Sequence, residues 1–257
     1  MLFILSFIFG ASVGSFVQVV AGRLHVAPIL KGRSKCLSCG EALRPSDLVP
    51  VFSYLFLKGR CRYCGARYGS EALIVEVIFG LTFLFLYQLI LRGQPTLLES
   101  FLWLVYYTLL FGTLGVMALY DRTHSYVPTP FLGSFLILSF AMYGIRLYGG
   151  YDTLSLLAPV FVALPFFVVW LLTRGKGLGF GDILIYIGVG AFFGSLQGFA
   201  VFVISVWLGA LSGIYIKYRA HDGAKHVAIP FVPYIALAFV FVLFTGIDIL
   251  SITSIFS

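Results

Sequence analysis

Residues 99–120 read ESFLWLVYYTLLFGTLGVMALY, and the next residue is Asp121. Apart from Glu99 at its start the run carries no charge, and it is long enough to cross about 30 Å of hydrocarbon as a helix. Seven further runs qualify or nearly qualify: 2–22, 72–91, 128–147, 154–173, 182–197, 199–217 and 230–250. Polar breaks separate most of them, such as Arg92-Gly93-Gln94-Pro95 and Arg174-Gly175-Lys176-Gly177. The chain as a whole is 60% hydrophobic and only 11% charged, with a mean hydropathy of +1.03. Water-soluble domains carry about a quarter charged residues. The expectation is therefore an all-α polytopic membrane protein with about eight transmembrane helices.

The net charge of +7 does not indicate a nucleic-acid partner. Nine of the 17 Lys and Arg residues fall between Arg23 and Arg67, and most others stand at the ends of apolar runs. Topology determinants are distributed in this way. Counting a basic residue at the end of a run with the connection after it, the odd-numbered connections carry fifteen basic residues and the even-numbered ones two. By the positive-inside rule the odd connections face the cytoplasm and both termini lie on the far side. The first run has no basic residue before it and a basic loop after it, the reverse of a cleavable signal peptide. It reads as a retained helix. The sixth run is short, since Asp182 to Gly194 would rise only about 20 Å. Either that helix continues to about Gln197, or the bilayer thins, or Asp182 sits in a wet recess below the surface.

Three regions follow: a first transmembrane helix over 1–22, a polar insertion over 23–71, and a transmembrane bundle over 72–257. All four cysteines lie in the insertion, as Cys36-Leu-Ser-Cys39 and Cys61-Arg-Tyr-Cys64. Two CxxC pairs can present four thiolates to one tetrahedral ion, and Gly40 and Gly65 suit the turn after each pair. Placed in the reducing cytoplasm, the set reads as a zinc-ribbon-like module and not as disulfides. Four sulfurs leave no open position on zinc, so the metal is expected to be structural.

An acid at membrane depth is costly and asks for a reason. Asp121 ends the third run and Asp182 opens the sixth, within Gly179-Phe-Gly181-Asp182. Odd spans end and even spans begin on the cytoplasmic side, so both acids stand at one level. Two carboxyls close enough to share a proton hold one acid and one base, which is the requirement for peptide hydrolysis by water. The spacing does not say which is which. Gly179 and Gly181 would let a substrate backbone come close to Asp182. The bland alternative is that both acids cap helix ends, or that Asp121 pairs with Arg122 or Arg174.

At this point the chain resembles a family, the type IV prepilin peptidases, bifunctional leader peptidases and N-methyltransferases of pilus and type II secretion systems. The resemblance runs from residue 10 to about residue 237. It rests on Gly14-Ser-Phe, both CxxC pairs, Val49-Pro-Val-Phe-Ser-Tyr-Leu55 and Gly59-Arg-Cys-Arg-Tyr-Cys64. It continues through Val75-Glu76, Asp121 seven residues before Pro128, Gly179-Phe-Gly-Asp182 and Ile229-Pro-Phe-Val-Pro-Tyr234. The resemblance implies that Asp121 and Asp182 are the catalytic pair of an intramembrane aspartic protease in the inner membrane, working at the cytoplasmic face. It implies pilin-like precursors, with a short basic leader before a hydrophobic helix, cut after a glycine. It further implies methylation of the new amine with S-adenosylmethionine, whose binding residues no motif defines. Several positions depart from the family: Gln18, Ala72-Leu73, Thr129, Leu184 and Val232 stand where Asn, Tyr-Pro, Asp, Lys and Gly are usual. None is a proteolytic residue.

Other polar residues read more plainly. Glu76 suits either substrate handling or a structural hydrogen bond. His124 reads as solvated, Asp47, Asp152, Asp222 and Asp248 as surface or loop acids, and His221, Asp222 and His226 as a solvated cluster. The rival reading is a proton-coupled transporter with a zinc-binding regulatory module, which mid-membrane acids would favour. A non-enzymatic secretion scaffold is a third.

Overall fold

The computed structural model describes residues 2–29, 32–150, 156–175, 179–219 and 230–250. Among them the elements are α1 (Leu2–Arg23), a 3-10 turn (Pro45–Asp47), α2 (Phe52–Phe56), α3 (Glu71–Arg92), α4 (Leu97–His124) and α5 (Thr129–Tyr148). Then follow α6 (Ala158–Thr173), α7 (Phe180–Phe193), α8 (Ser195–Arg219) and α9 (Val232–Thr245). The fold is helical, and no strand occurs among the described residues. Helices α1, α3, α4, α5 and α8 are long and apolar enough to cross a membrane, while α6, α7 and α9 are apolar but have 16, 14 and 14 residues. The chain divides into two compact units, Met1–Thr108 and Leu109–Ser257.

In the first unit α1 and α3 pack along their length. Close approach depends on residues without side chains. A Cβ at Gly10 would stand 2.5 Å from the Phe79 carbonyl oxygen, and one at Gly80 would stand 2.6 Å from the Phe7 ring. Small residues drive such helix pairs because lipid offers no hydrophobic gain for associating. The Gln18 side-chain amide donates to the Ala72 carbonyl at 3.3 Å, adding a polar tie.

In the second unit α7 is the central helix: ten of its 14 residues are buried, and it packs on α5, α6 and α8. A Cβ at Gly190 would meet the Ala158 carbonyl oxygen at 2.5 Å, so α6 comes within backbone contact. Tyr186 stacks on Phe166 at 4.5 Å between ring centroids, and Phe192 and Phe193 both lie against Phe239. Many large apolar side chains elsewhere on these helices remain exposed, as a lipid-facing surface requires.

Of the helix ends that differ from the expected bounds, three have a visible cause or bear on the acids. Helix α4 runs on to His124, so Asp121 lies in its last turn and not beyond the span. Helix α7 stops at Phe193 and does not continue to Gln197, because Gly194 turns to a φ of +85°. The Arg146 guanidinium donates to the Phe192 carbonyl at 2.8 Å and fills the space a Gly194 Cβ would need. A cation on the last carbonyls suits a helix C-terminus. Helix α9 ends at Thr245 because Gly246 adopts a φ of +68° and donates its N–H to the Val242 carbonyl.

Candidate active site and metal centre

Asp121 and Asp182 are 61 positions apart in sequence, and both lie in terminal turns, α4's last and α7's first. Both are buried, at 7% and 9% exposure. Val127, six residues after Asp121, lies against Gly181, the residue before Asp182, which brings the two acids to one region. Asp121 Oδ2 accepts the backbone N–H of Val232 at 3.1 Å. Val232 is the first residue of α9, whose leading N–H groups have no partner inside the helix.

The connection from α4 to α5 completes the surroundings. Ser125 takes a φ of +56° and donates its N–H to the Asp121 carbonyl at 2.8 Å, which reverses the chain. Val127 is thereby brought against α7, with its Cγ2 3.2 Å from where a Gly181 Cβ would stand. The expectation that Gly181 leaves room for a substrate backbone is therefore corrected: Val127 occupies that room. Gly179 differs, because among the described residues a Cβ there would meet only the carboxyl of Asp182 itself.

Sequence reasoning missed two features of this region. One is the Val232 amide, which as a backbone donor has no side-chain signature; its only trace was a Pro-flanked helix start in the 229–234 motif. The other is a ring cluster beside Asp121. Tyr120 and Tyr126 share a hydrogen bond of 2.8 Å, and His124 stacks on Tyr120 with 4.1 Å between centroids. His124 is exposed, as expected. His221, Asp222, His226 and Asp152 lie outside the described residues.

The four cysteines converge. Their sulfurs all lie within 4.8 Å of one another, and Cys36 Sγ is 3.9 Å from Cys64 Sγ. Four sulfurs about 2.3 Å from one zinc would stand about 3.8 Å apart. The two pairs are built alike: Gly40 and Gly65 take φ of +73° and +71°, and their N–H groups donate to the Cys36 and Cys61 carbonyls. The Cys36 and Cys61 amides donate to the Glu41 and Ala66 carbonyls at 2.9 and 2.8 Å. All four thiols are free of disulfides. The set fits a tetrahedral thiophilic ion.

Two further groups belong to this module. The Tyr68 hydroxyl is buried with no hydrogen-bond partner of regular geometry, and it lies against the Cys61 sulfur. That hydroxyl, together with the Cys64 and Tyr63 amides, draws the Cys61 thiol down to about 6, which favours the thiolate a metal needs. Replacing Tyr68 with Phe should weaken metal retention about tenfold, as loss of a group outside the ligand shell does, read as faster zinc transfer to a chelator. An unchanged transfer rate would show the hydroxyl to be a bystander. Asp47, expected as a surface acid, has its side chain buried and pairs with Arg62 Nε at 2.7 Å, tying the 3-10 turn to the second CxxC pair.

Glu76 is also explained. It is buried in α3 and its Oε2 accepts the Val51 N–H at 2.7 Å. Val51 has a φ of +63° and a ψ of −53°, and the Phe52 N–H bonds to the Pro50 carbonyl across it. This is a γ-turn of the rare strained kind, unusual for a β-branched residue, and the buried carboxylate holds it. Of its two expected roles, the structural hydrogen bond is the one on view.

Comparison with known proteins points one way. Residues 8–90 match the bacterial peptidase A24 N-terminal domain, and residues 108–214 match the type IV leader peptidase family. The chain is 33% identical over 255 residues to a prepilin leader peptidase/N-methyltransferase of Bacillus subtilis (strain 168), covering 95% of both chains. It is 29% identical over 270 residues to the protein of that name from Aeromonas salmonicida (strain A449), covering 92% of this chain and 88% of that one. A third, from Pseudomonas aeruginosa, is 31% identical over 211 residues, covering 80% of this chain and 69% of that one. No solved structure matches.

Proposed function

The chain belongs to the type IV leader peptidase family, and from that premise we propose that it removes the leader from prepilin-type precursors and methylates the new N-terminus. It is a membrane enzyme whose proteolytic groups are Asp121 and Asp182. The observation that carries this reading is that two buried acids from distant points of the chain converge, Val127 beyond Asp121 lying against Gly181 beside Asp182, inside the segment that matches the peptidase family. Their place in terminal helix turns supports hydrolysis at one membrane face over the relay of protons through the bilayer midplane.

The finer account is as follows. Eight helices cross the inner membrane, α6, α7 and α9 being short because they lie within the bundle around the acids. The excess of basic residues places the cysteine module and the dyad on the cytoplasmic side. The module holds one structural zinc through Cys36, Cys39, Cys61 and Cys64. The pilin-like substrate lays its hydrophobic helix in the bilayer and presents the cut site to the dyad, with Gly179 leaving room beside Asp182. One carboxyl takes a proton from water as the water oxygen attacks the scissile carbonyl, and the other protonates the leaving nitrogen. When bound, S-adenosylmethionine supplies a methyl group to the freed amine; no residue of this chain is assigned to holding it.

The test is direct. Purified protein is incubated with a pilin-type precursor, with and without S-adenosylmethionine, and the product is weighed. Leader loss is expected in both reactions and one added methyl only with the donor. An intact precursor beside folded, metal-loaded protein would overturn the reading.

A further inference from the structure

The two acids do not stand in equivalent surroundings. Asp182 lies in the first turn of α7, and Asp121 lies in the last turn of α4 with the N-terminus of α9 against it, so the helix dipoles alone do not favour Asp121 as the carboxylate. Hydrogen bonding does. Asp121 Oδ2 accepts the Val232 N–H at 3.1 Å, with the Phe231 amide beside it. The next residue, Pro233, has no N–H, and the Tyr234 and Ile235 N–H groups bond the Phe231 carbonyl, so Val232 supplies the donor of this turn that Asp121 accepts. Asp182 accepts no hydrogen bond of regular geometry among the described residues, and its nearest backbone donor is Gly179. A fixed amide dipole favours the charged state of the group it faces, and among the described residues a backbone amide reaches regular hydrogen-bond geometry at Asp121 and not at Asp182.

We propose that the first turn of α9 is a third element of the proteolytic site, and that the Val232 N–H divides the work between the acids. The proposal rests on the reading of Asp121 and Asp182 as the proteolytic pair. Asp121 is the carboxylate, held by Oδ2 and using Oδ1 on the water. Asp182 carries the shared proton. Water's oxygen bonds to the scissile carbonyl carbon as one of its protons passes to Asp121. The C–N bond then breaks as Asp182 gives its proton to the nitrogen. The proton on Asp121 crosses to Asp182, which restores the starting state and leaves a carboxyl on the leader and an amine on the mature chain. Val232 itself is a positioning residue, acting through Asp121.

The test removes one atom group. Val232 is replaced by its α-hydroxy analogue through nonsense suppression, which exchanges the N–H for an oxygen and keeps the side chain. The same exchange at Ile235, whose N–H donates to the Phe231 carbonyl within α9, controls for loss of any helix bond. At 232, kcat is expected to fall about tenfold to a hundredfold, the worth of a hydrogen bond to a charged group, with KM within about twofold. At 235 kcat changes little. In the unaltered protein an epoxide, which needs a carboxylate nucleophile, should alkylate Asp121. A diazo ester, which needs an acid proton, should esterify Asp182. Unchanged kcat at 232, equal losses at 232 and 235, or epoxide on Asp182 would overturn the division of roles. Failure of the dyad itself would look different, as cleavage surviving in Asn variants of the two acids.

Discussion

Asp121→Asn and Asp182→Asn each lose leader cleavage by at least about a thousandfold, while both variants fold, insert and keep their metal. Asn matches Asp in shape, and its side-chain carbonyl can still accept the Val232 N–H, so the fold has little reason to move. What disappears is a group that can take or give a proton at the cut site. The double variant should be no worse than either single one, because groups that act as a unit lose activity non-additively. Methylation of an already processed substrate should persist in all three, since methyl transfer to a free amine needs neither acid. Purified variants assayed on a pilin-type precursor and on its processed form separate these outcomes. A single variant that still cleaves at a substantial rate would end the two-acid mechanism.

Cys36→Ser empties the module of zinc. Metal analysis of protein purified without chelators should give about one zinc per chain for the parent, while the variant binds at least about a hundredfold more weakly. Cys36 is the ligand to choose because its thiol is buried, its carbonyl accepts the Gly40 N–H, and its sulfur stands 3.9 Å from that of Cys64. Losing it removes a bond within its own pair and one across to the other. Residues 32–69 have few buried side chains beyond Cys36, Cys61 and Asp47, so on the proposed reading metal ligation would supply much of what orders them. Protease susceptibility of this segment should therefore rise with metal loss. A parent protein without zinc, or a variant that keeps it, would remove the metal from the account.

The helices were legible because apolar runs and polar breaks are one-dimensional signals that lipid enforces along the whole chain. Their ends were less so. The stop at Gly194 is joined by Arg146, which comes from another helix, and the amide that binds the Asp121 side chain is 111 positions away. The cysteine module could be read because a turn with two thiols has a fixed local spacing, and Gly40 and Gly65 mark the positive φ that closes it. Asp47 was misplaced on the surface because its partner Arg62 is 15 positions away, and no local pattern announces that pairing. Gly181 was misassigned for a related reason. A glycine announces that something comes close but not what, and here the neighbour is Val127 of the chain itself. The acids were visible as residue types at a shared level, whereas the amide that distinguishes them was not.

The measurement that bears most directly on the central claim is the mass of a pilin-type precursor after incubation, in one membrane preparation, with the parent protein and with each Asn variant. The account predicts a product that begins at the mature N-terminus with the parent protein and an intact precursor with Asp121→Asn and with Asp182→Asn. Mature product from either variant, at a rate near the parent's, would contradict it.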